Sequence, residues 1–373
     1  MSSIQYSEVF CENSKSQYSE FDICDFIIVG EGRDLIANSI RVEGDLRVNL
    51  TGNTRCGDGG ADDKVRFNSN VGIHGVVESI SCEAENMGVI QRLDNYARLV
   101  NMGVLASKDR NDLCNSKDLV ELRSPNERFS EAYTRGITPL NDTNNAGAQD
   151  VDFSFMPEFC LNKMSGGNLS LDKTGYIKVS ITLARIVAFL YGRDVDANVN
   201  YHISNLRLSY KTIPAQGGGK VQMRSSVNIK HSINSALSNS SAKVPAVADA
   251  CSISFLRQSK ENTFVDDNYA CELMPQIDEL QFLFNDTSTF IRYVINDKGD
   301  MLSKYLESFG GGVHNGVNAD KFKSNKAFGL GVNFNKFVDL SNQKFTTQIK
   351  SADTNINNRP MLMFAYFHSV IEM

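Results

Sequence analysis

Apolar and polar residues alternate one for one through several long stretches of this chain. That period fits a β-strand with one buried face and does not fit a helix. Phe328, Leu330, Val332 and Phe334 share one face of such a stretch. Val221, Met223, Ser225, Val227 and Ile229 form another, with Gln222, Arg224, Ser226, Asn228 and Lys230 opposite. Ile177, Val179, Ile181 and Leu183 make a third. Further along, Val199, Tyr201 and Ile203 are followed by Leu206, Leu208 and Tyr210. The change of parity at Ser204 and Asn205 predicts a β-bulge. Residues 361–371 (MLMFAYFHSVI) are apolar on both faces, which predicts a strand buried between two layers.

Helical spacing is scarce. Ile90, Leu93, Ala97 and Val100 fall on one stripe and predict a short amphipathic helix over residues 89–100. Residues 300–308 (DMLSKYLES) predict a second, stopped by Gly310, Gly311 and Gly312. Clusters of Gly, Asn, Asp and Ser separate the strands, so the pattern is that of an all-β sandwich or barrel. One break outranks the others: Pro214-Ala-Gln-Gly-Gly-Gly219 lies between two long alternating stretches and reads as a flexible linker. It divides the chain into about 190 residues before it and about 155 after it, each within the usual domain range. Periodicity and composition support two β sandwiches in tandem, with no sequence repeat between them.

The chain has 373 residues, and 38 Lys and Arg against 44 Asp and Glu leave a net charge of −6, which argues against a protein built to hold nucleic acid by charge. No stretch approaches the roughly 18 apolar residues of a spanning helix, and the start (MSSIQYSEVFCENSKSQ) has neither the basic nor the apolar region of a secretory signal. The cysteines at 11, 24, 56, 82, 114, 160, 251 and 271 are far apart and form no C-x-x-C pair, so reduced, buried thiols are expected. Asp25-Phe-Ile-Ile-Val-Gly-Glu-Gly-Arg-Asp-Leu35 approaches a dinucleotide fingerprint, but Leu35 stands at the third glycine and no crossover helix follows. His74, His202, His231, His314 and His368 lie in separate elements without a ligand-spaced neighbour. Asp58, Asp62 and Asp63, and the pair Asp266 and Asp267, fall in polar loop stretches and read as solvated acids. No serine sits in a nucleophile elbow. The inventory names no catalytic, cofactor-binding or metal-binding residue, and no cofactor is expected.

The order of segments carries a family likeness. Residues 70–80 (NVGIHGVVESI), then a helix with the pattern Gly88-Val-Ile-Gln-Arg-Leu-Asp-Asn-Tyr96, resemble the early part of double jelly-roll major capsid proteins. Residues 153–161 (FSFMPEFCL), Leu183-Ala184 and residues 201–210 (YHISNLRLSY) resemble the closing strands of the first roll. Residues 278–285, 300–308 and 339–345 are similar to parts of the second. The likeness spans most of residues 20–373 and rests on collinearity; it is strongest to the capsid proteins of polinton-like viruses and virophages, within the adenovirus and tailless-phage lineage. It implies two tandem eight-stranded antiparallel jelly rolls with a few short helices. Residues 1–20 would be an N-terminal arm, 21–214 the first roll and 220–373 the second. The implied role is structural rather than enzymatic: a homotrimer forming a pseudo-hexagonal capsomer in an icosahedral virion shell. The implied partners are neighbouring capsomers, penton and minor capsid proteins, and an internal membrane as a candidate, without sequence-specific nucleic-acid binding. A single jelly-roll vertex (penton) protein and a β-sandwich glycan-binding module are the alternatives. The chain has no Trp, so Tyr and Phe would supply any aromatic anchors.

Overall fold

The computed structural model describes residues 3–50, 56–57, 65–68, 70–107, 121–122, 136–137, 140–141, 150–191, 194–195, 199–217, 220–244, 247–264, 266–269, 277–285, 288–295, 298–310, 329–341, 344–351 and 356–373. Sixteen strands carry the architecture. The first eight are β1 (Gln5–Phe10), β2 (Ile23–Ile28), β3 (Arg41–Leu50), β4 (Val77–Ala84), β5 (Gly88–Asp94), β6 (Val151–Phe155), β7 (Ile177–Leu183) and β8 (Val199–Pro214). The second eight are β9 (Gln222–Ile233), β10 (Leu237–Ala242), β11 (Val247–Arg257), β12 (Ile277–Phe284), β13 (Ser288–Val294), β14 (Leu330–Asp339), β15 (Phe345–Ser351) and β16 (Met361–Glu372). Two helices matter: α1 (Tyr96–Ser107), after β5, and α2 (Lys298–Ser308), after β13.

The sheets of the first lobe run β1-β8-β3-β6 and β2-β7-β4-β5. Those of the second run β9-β16-β11-β14 and β10-β15-β12-β13. Adding eight to each strand of the first lobe gives the second, so the lobes share one topology although their sequences show no repeat. Four strands facing four, with the first and last of the eight paired, is a jelly roll. All these ladders are antiparallel; the short segment Leu140–Asn141 runs parallel to β3 at the edge of the first sheet.

The predicted bulge in β8 is present, with a register shift between Ser204 and Arg207 and Asn205 at φ 52°. β16 is buried on both faces from Met361 to Ser369, packed inward on the second lobe's other sheet (Phe367 to Phe345, 5.3 Å) and outward on the first lobe. Leu330, Val332 and Phe334 are buried as expected, while Phe328 lies outside the described residues.

Two expectations need correction. Residues 89–100 are not one helix: Gly88–Asp94 is a strand on β4, and α1 starts only at Tyr96. Asn95, at φ 51°, is left-handed and interrupts any helix there. The inward pair in this segment is Gln91 and Leu93, at period two, and sheet pairing overrides the helical stripe. The stretch 1–20, expected as an arm, contains β1, which pairs residue for residue with β8 from Gln5↔Thr212 to Phe10↔Arg207. α2 lies where residues 300–308 predicted it.

The apolar core is one cluster running through both sandwiches. In the second it contains a group of stacked phenylalanines, with Phe282 between Phe345 (5.3 Å) and Phe334 (5.7 Å). Edge-to-face and stacked rings at this separation add to the burial of their area.

Candidate assembly interface

The lobes are joined where the sequence motif Gly88–Tyr96 meets β9 and β16. Gln91, 4% exposed on the edge strand β5, is the central link. Its Oε1 accepts the Cys160 N–H at 2.7 Å, and its Nε2 donates to the Ser226 carbonyl of β9 at 3.2 Å. Asn95 donates to Asn228 Oδ1 (2.8 Å), and the Tyr366 hydroxyl of β16 donates to the Asn95 carbonyl (2.8 Å). The same left-handed turn that ends β5 therefore presents groups from both sides of Asn95 to the second lobe.

α1 extends the seam. Tyr305 of α2 donates to the Met102 carbonyl (2.7 Å), and Tyr269 donates to the Gly75 carbonyl (2.9 Å). Arg98, 4% exposed, donates to the Asn268 carbonyl and lies 4.2 Å over the Phe364 ring of β16. A guanidinium removed from water in this way is tolerated because its donors and its flat face both find partners.

Beside Arg98 is a cavity of about 220 Å³, lined among others by Glu78, Arg185, Lys230, Glu261 and Phe364. Burial pushes the Glu78 carboxyl above its ordinary range, with Lys230 opposing the shift. Lys230 itself pairs with Glu261. Lys230, Asp94, Arg98 and Glu261 all act on the Glu78 carboxyl, so these charges answer one another across the seam. Among the described residues no group of three or more His, Cys, Asp or Glu could hold a metal ion.

The four described histidines lie within the scaffold. His368, buried in β16, has Nδ1 at 2.9 Å from Ser226 Oγ and Nε2 at 2.8 Å from Ser252 Oγ. Burial holds its pKa well below the usual imidazole range. His74 Nδ1 lies 2.7 Å from the Tyr96 hydroxyl, which also accepts the Glu158 N–H. His202 meets Asn49 at 3.0 Å, and burial lowers both its pKa and that of His231.

Asp267 is not a solvated loop acid. It accepts from Asn68 of the first lobe at 2.6 Å and from the Tyr269 N–H at 3.0 Å, so it ties the lobes together. Asp266 faces Lys260 at 3.7 Å. Asp58, Asp62, Asp63, Cys114, Cys271 and His314 lie outside the described residues.

Sequence separation also hid two thiol pairs. Cys11 and Cys24 are neighbours across β1 and β2, and Cys82 and Cys160 across β4 and the turn before Met164; all four are free and buried. The hydrogen bond from Cys24 lowers the Cys11 thiol to about 6, while Cys24 is raised.

No family model and no curated protein matches the sequence. Solved structures do match. The Faustovirus major capsid protein overlays with TM-score 0.65 at 10% identity, covering 100% of this chain and 90% of that one. PBCV-1 VP54, as fitted into a reconstruction of the virophage Sputnik, gives 0.58 at 11%, covering 100% and 95%. A chain of the Sputnik virophage structure gives 0.58 at 10%, covering 99% and 86%. End-to-end overlay at this level joins with the doubled strand order to give one conclusion: the chain has the double jelly-roll fold of viral major capsid proteins.

Proposed function

We propose that this protein is the major capsid protein of an icosahedral virus, acting by assembly and not by catalysis. Residues 21–214 with the preceding strand β1 would form one lobe and 220–373 the other. Three chains around a three-fold axis would present six similar lobes, a pseudo-hexagonal tile for a shell facet. The observation that carries this reading is the repetition of one eight-strand topology in two lobes locked by a buried polar seam. Such a doubling gives a chain two similar sides without two similar sequences. The place of action is then the virion shell, with neighbouring capsomers, penton and minor capsid proteins as partners. The test is mass and symmetry. Light scattering at micromolar protein should give three times 41.3 kDa, and negative-stain images should show a six-lobed outline. A monomer would overturn the reading in favour of a binding module, and a pentamer in favour of a vertex protein.

A further inference from the structure

Three strand ends of the first lobe meet at the cavity beside Arg98. The Phe21 N–H, ahead of β2, donates to the Leu183 carbonyl at the end of β7 (3.1 Å), and the Ala184 N–H donates to the Val76 carbonyl ahead of β4 (2.8 Å). Phe21, Arg185 and Glu78 are thereby gathered from three separate parts of the sequence, and all three line the cavity. The second lobe closes it with Lys230 of β9, Phe364 of β16 and the Glu261-Asn262 turn after β11.

Two charged side chains in this lining are left over. Lys230 is taken by Glu261, and Arg98 by the Asn268 carbonyl and the Phe364 ring. Among the described residues the exposed Arg185 makes no hydrogen bond or ion pair; its guanidinium only lies 5.5 Å from the Phe21 ring. Glu78, half-buried in β4, has neither as well, and burial holds its carboxyl above its ordinary range. Arg98, Arg185 and Lys230 against Glu78 and Glu261 leave one positive charge in excess.

The backbone around the cavity is strained. Of the nine described non-glycine residues with left-handed φ, three line it: Phe21 (65°), Asn95 (51°) and Asn262 (60°). For a phenylalanine that conformation is a true outlier, and costs of this kind collect where a ligand is clamped. The Phe21 side chain stands at the rim, the residue 59% exposed.

We infer that this cavity binds a single sugar ring carrying one carboxylate. The Arg185 guanidinium takes the carboxylate through two parallel N–H donors, which neutralises the excess charge. The Glu78 carboxyl and the Asn262 side chain take ring hydroxyls. The C–H groups of the sugar pack against the Phe21 ring beside the guanidinium, where the negative π face favours them. At about 220 Å³ the cavity is smaller than the roughly 300–1,000 Å³ of pockets for drug-sized ligands, so it takes one ring and not a chain of them. A phosphorylated sugar would bring about 1.5–2 negative charges at pH 7 against that excess of one. A bare carboxylate would leave Glu78 and Phe21 unused, and a neutral sugar would leave Arg185 unpaired.

The cavity lies within one chain, so the test does not depend on the oligomeric state. Ligand-observed NMR titration of the wild-type protein with glucuronate, glucose and acetate reads the parts separately. Glucuronate should bind with a Kd of about 1 mM, as its few non-hydrogen atoms allow. Glucose and acetate should each bind at least about tenfold more weakly, the worth of the missing charged or hydroxyl contacts. Arg185→Gln, at an exposed position, should keep the wild-type circular dichroism and bring glucuronate down to the level of glucose. Phe21→Asn, which suits a left-handed backbone, should weaken both sugars alike. Glucuronate that binds no tighter than glucose or acetate overturns the inference, and so does glucuronate that binds the Arg185→Gln variant as tightly as the wild type. No binding by the wild type at about 10 mM glucuronate overturns it as well.

Discussion

Replacing Gln91 by Leu keeps nearly the same side-chain volume and removes only its hydrogen-bonding groups. The structure makes the consequence calculable. Gln91 is 4% exposed, and both of its backbone partners, the Cys160 N–H and the Ser226 carbonyl, belong to residues no more than 5% exposed. Gln91→Leu leaves one buried donor and one buried acceptor without the partner they had. Each orphaned group costs about 1–3 kcal/mol, so the sum is roughly 2–6 kcal/mol. Gln91→Ala adds a cavity and should cost more. Asn95→Ala, at a half-buried position with one side-chain bond to Asn228 and φ 51°, should cost about 2–3 kcal/mol, about 1 for the hydrogen bond and about 1–2 for Ala in the left-handed region. Urea unfolding followed by far-UV circular dichroism reads these losses as shifts in midpoint at constant slope. Because Gln91 joins the lobes, any uncoupling of them would split one transition into two, and tyrosine fluorescence would report that as non-coincidence. A Gln91→Leu protein within about 0.5 kcal/mol of wild type, the range of neutral surface changes, would refute the assignment of Gln91 as the link between lobes.

Acidification should loosen the second lobe. The folded pKa of His368 lies well below its unfolded value, so the unfolded chain binds more protons and stability falls as pH drops below about 6.5, by up to about 1.4 kcal/mol per pH unit. Unfolding midpoints from pH 7.5 to 5 should show that slope, and a His368→Gln variant should flatten it. Leu330→Ala and Phe334→Ala, both buried, should cost about 2–5 kcal/mol. Gly217→Ser should cost about 1 kcal/mol, since Gly217 has φ 83° and open space around it; equal losses of soluble protein would contradict this. Titration of the denatured, unreduced chain should find close to all 8 cysteines as free thiols, and a count near zero would refute the reduced state.

What the sequence by itself determined was local. Alternation at period two marked Ile177–Leu183, Val199–Pro214 and Gln222–Ile233 as strands because one buried face leaves its imprint on every second residue. The double-sided run of β16 announced a central strand for the same reason. Pairing between distant strands leaves no such imprint. β1 is six residues long with only half-buried inward positions, and it is a strand only because β8 offers it an edge. Residues 88–94 satisfy a helical stripe as well as a strand, and the choice was made by β4 and by the turn at Asn95. The seam through Gln91, Arg98 and Asp267 was invisible in the same way. A polar side chain becomes a link between lobes only when its partner, more than 130 residues away in each case, is brought within 3.5 Å by the tertiary structure.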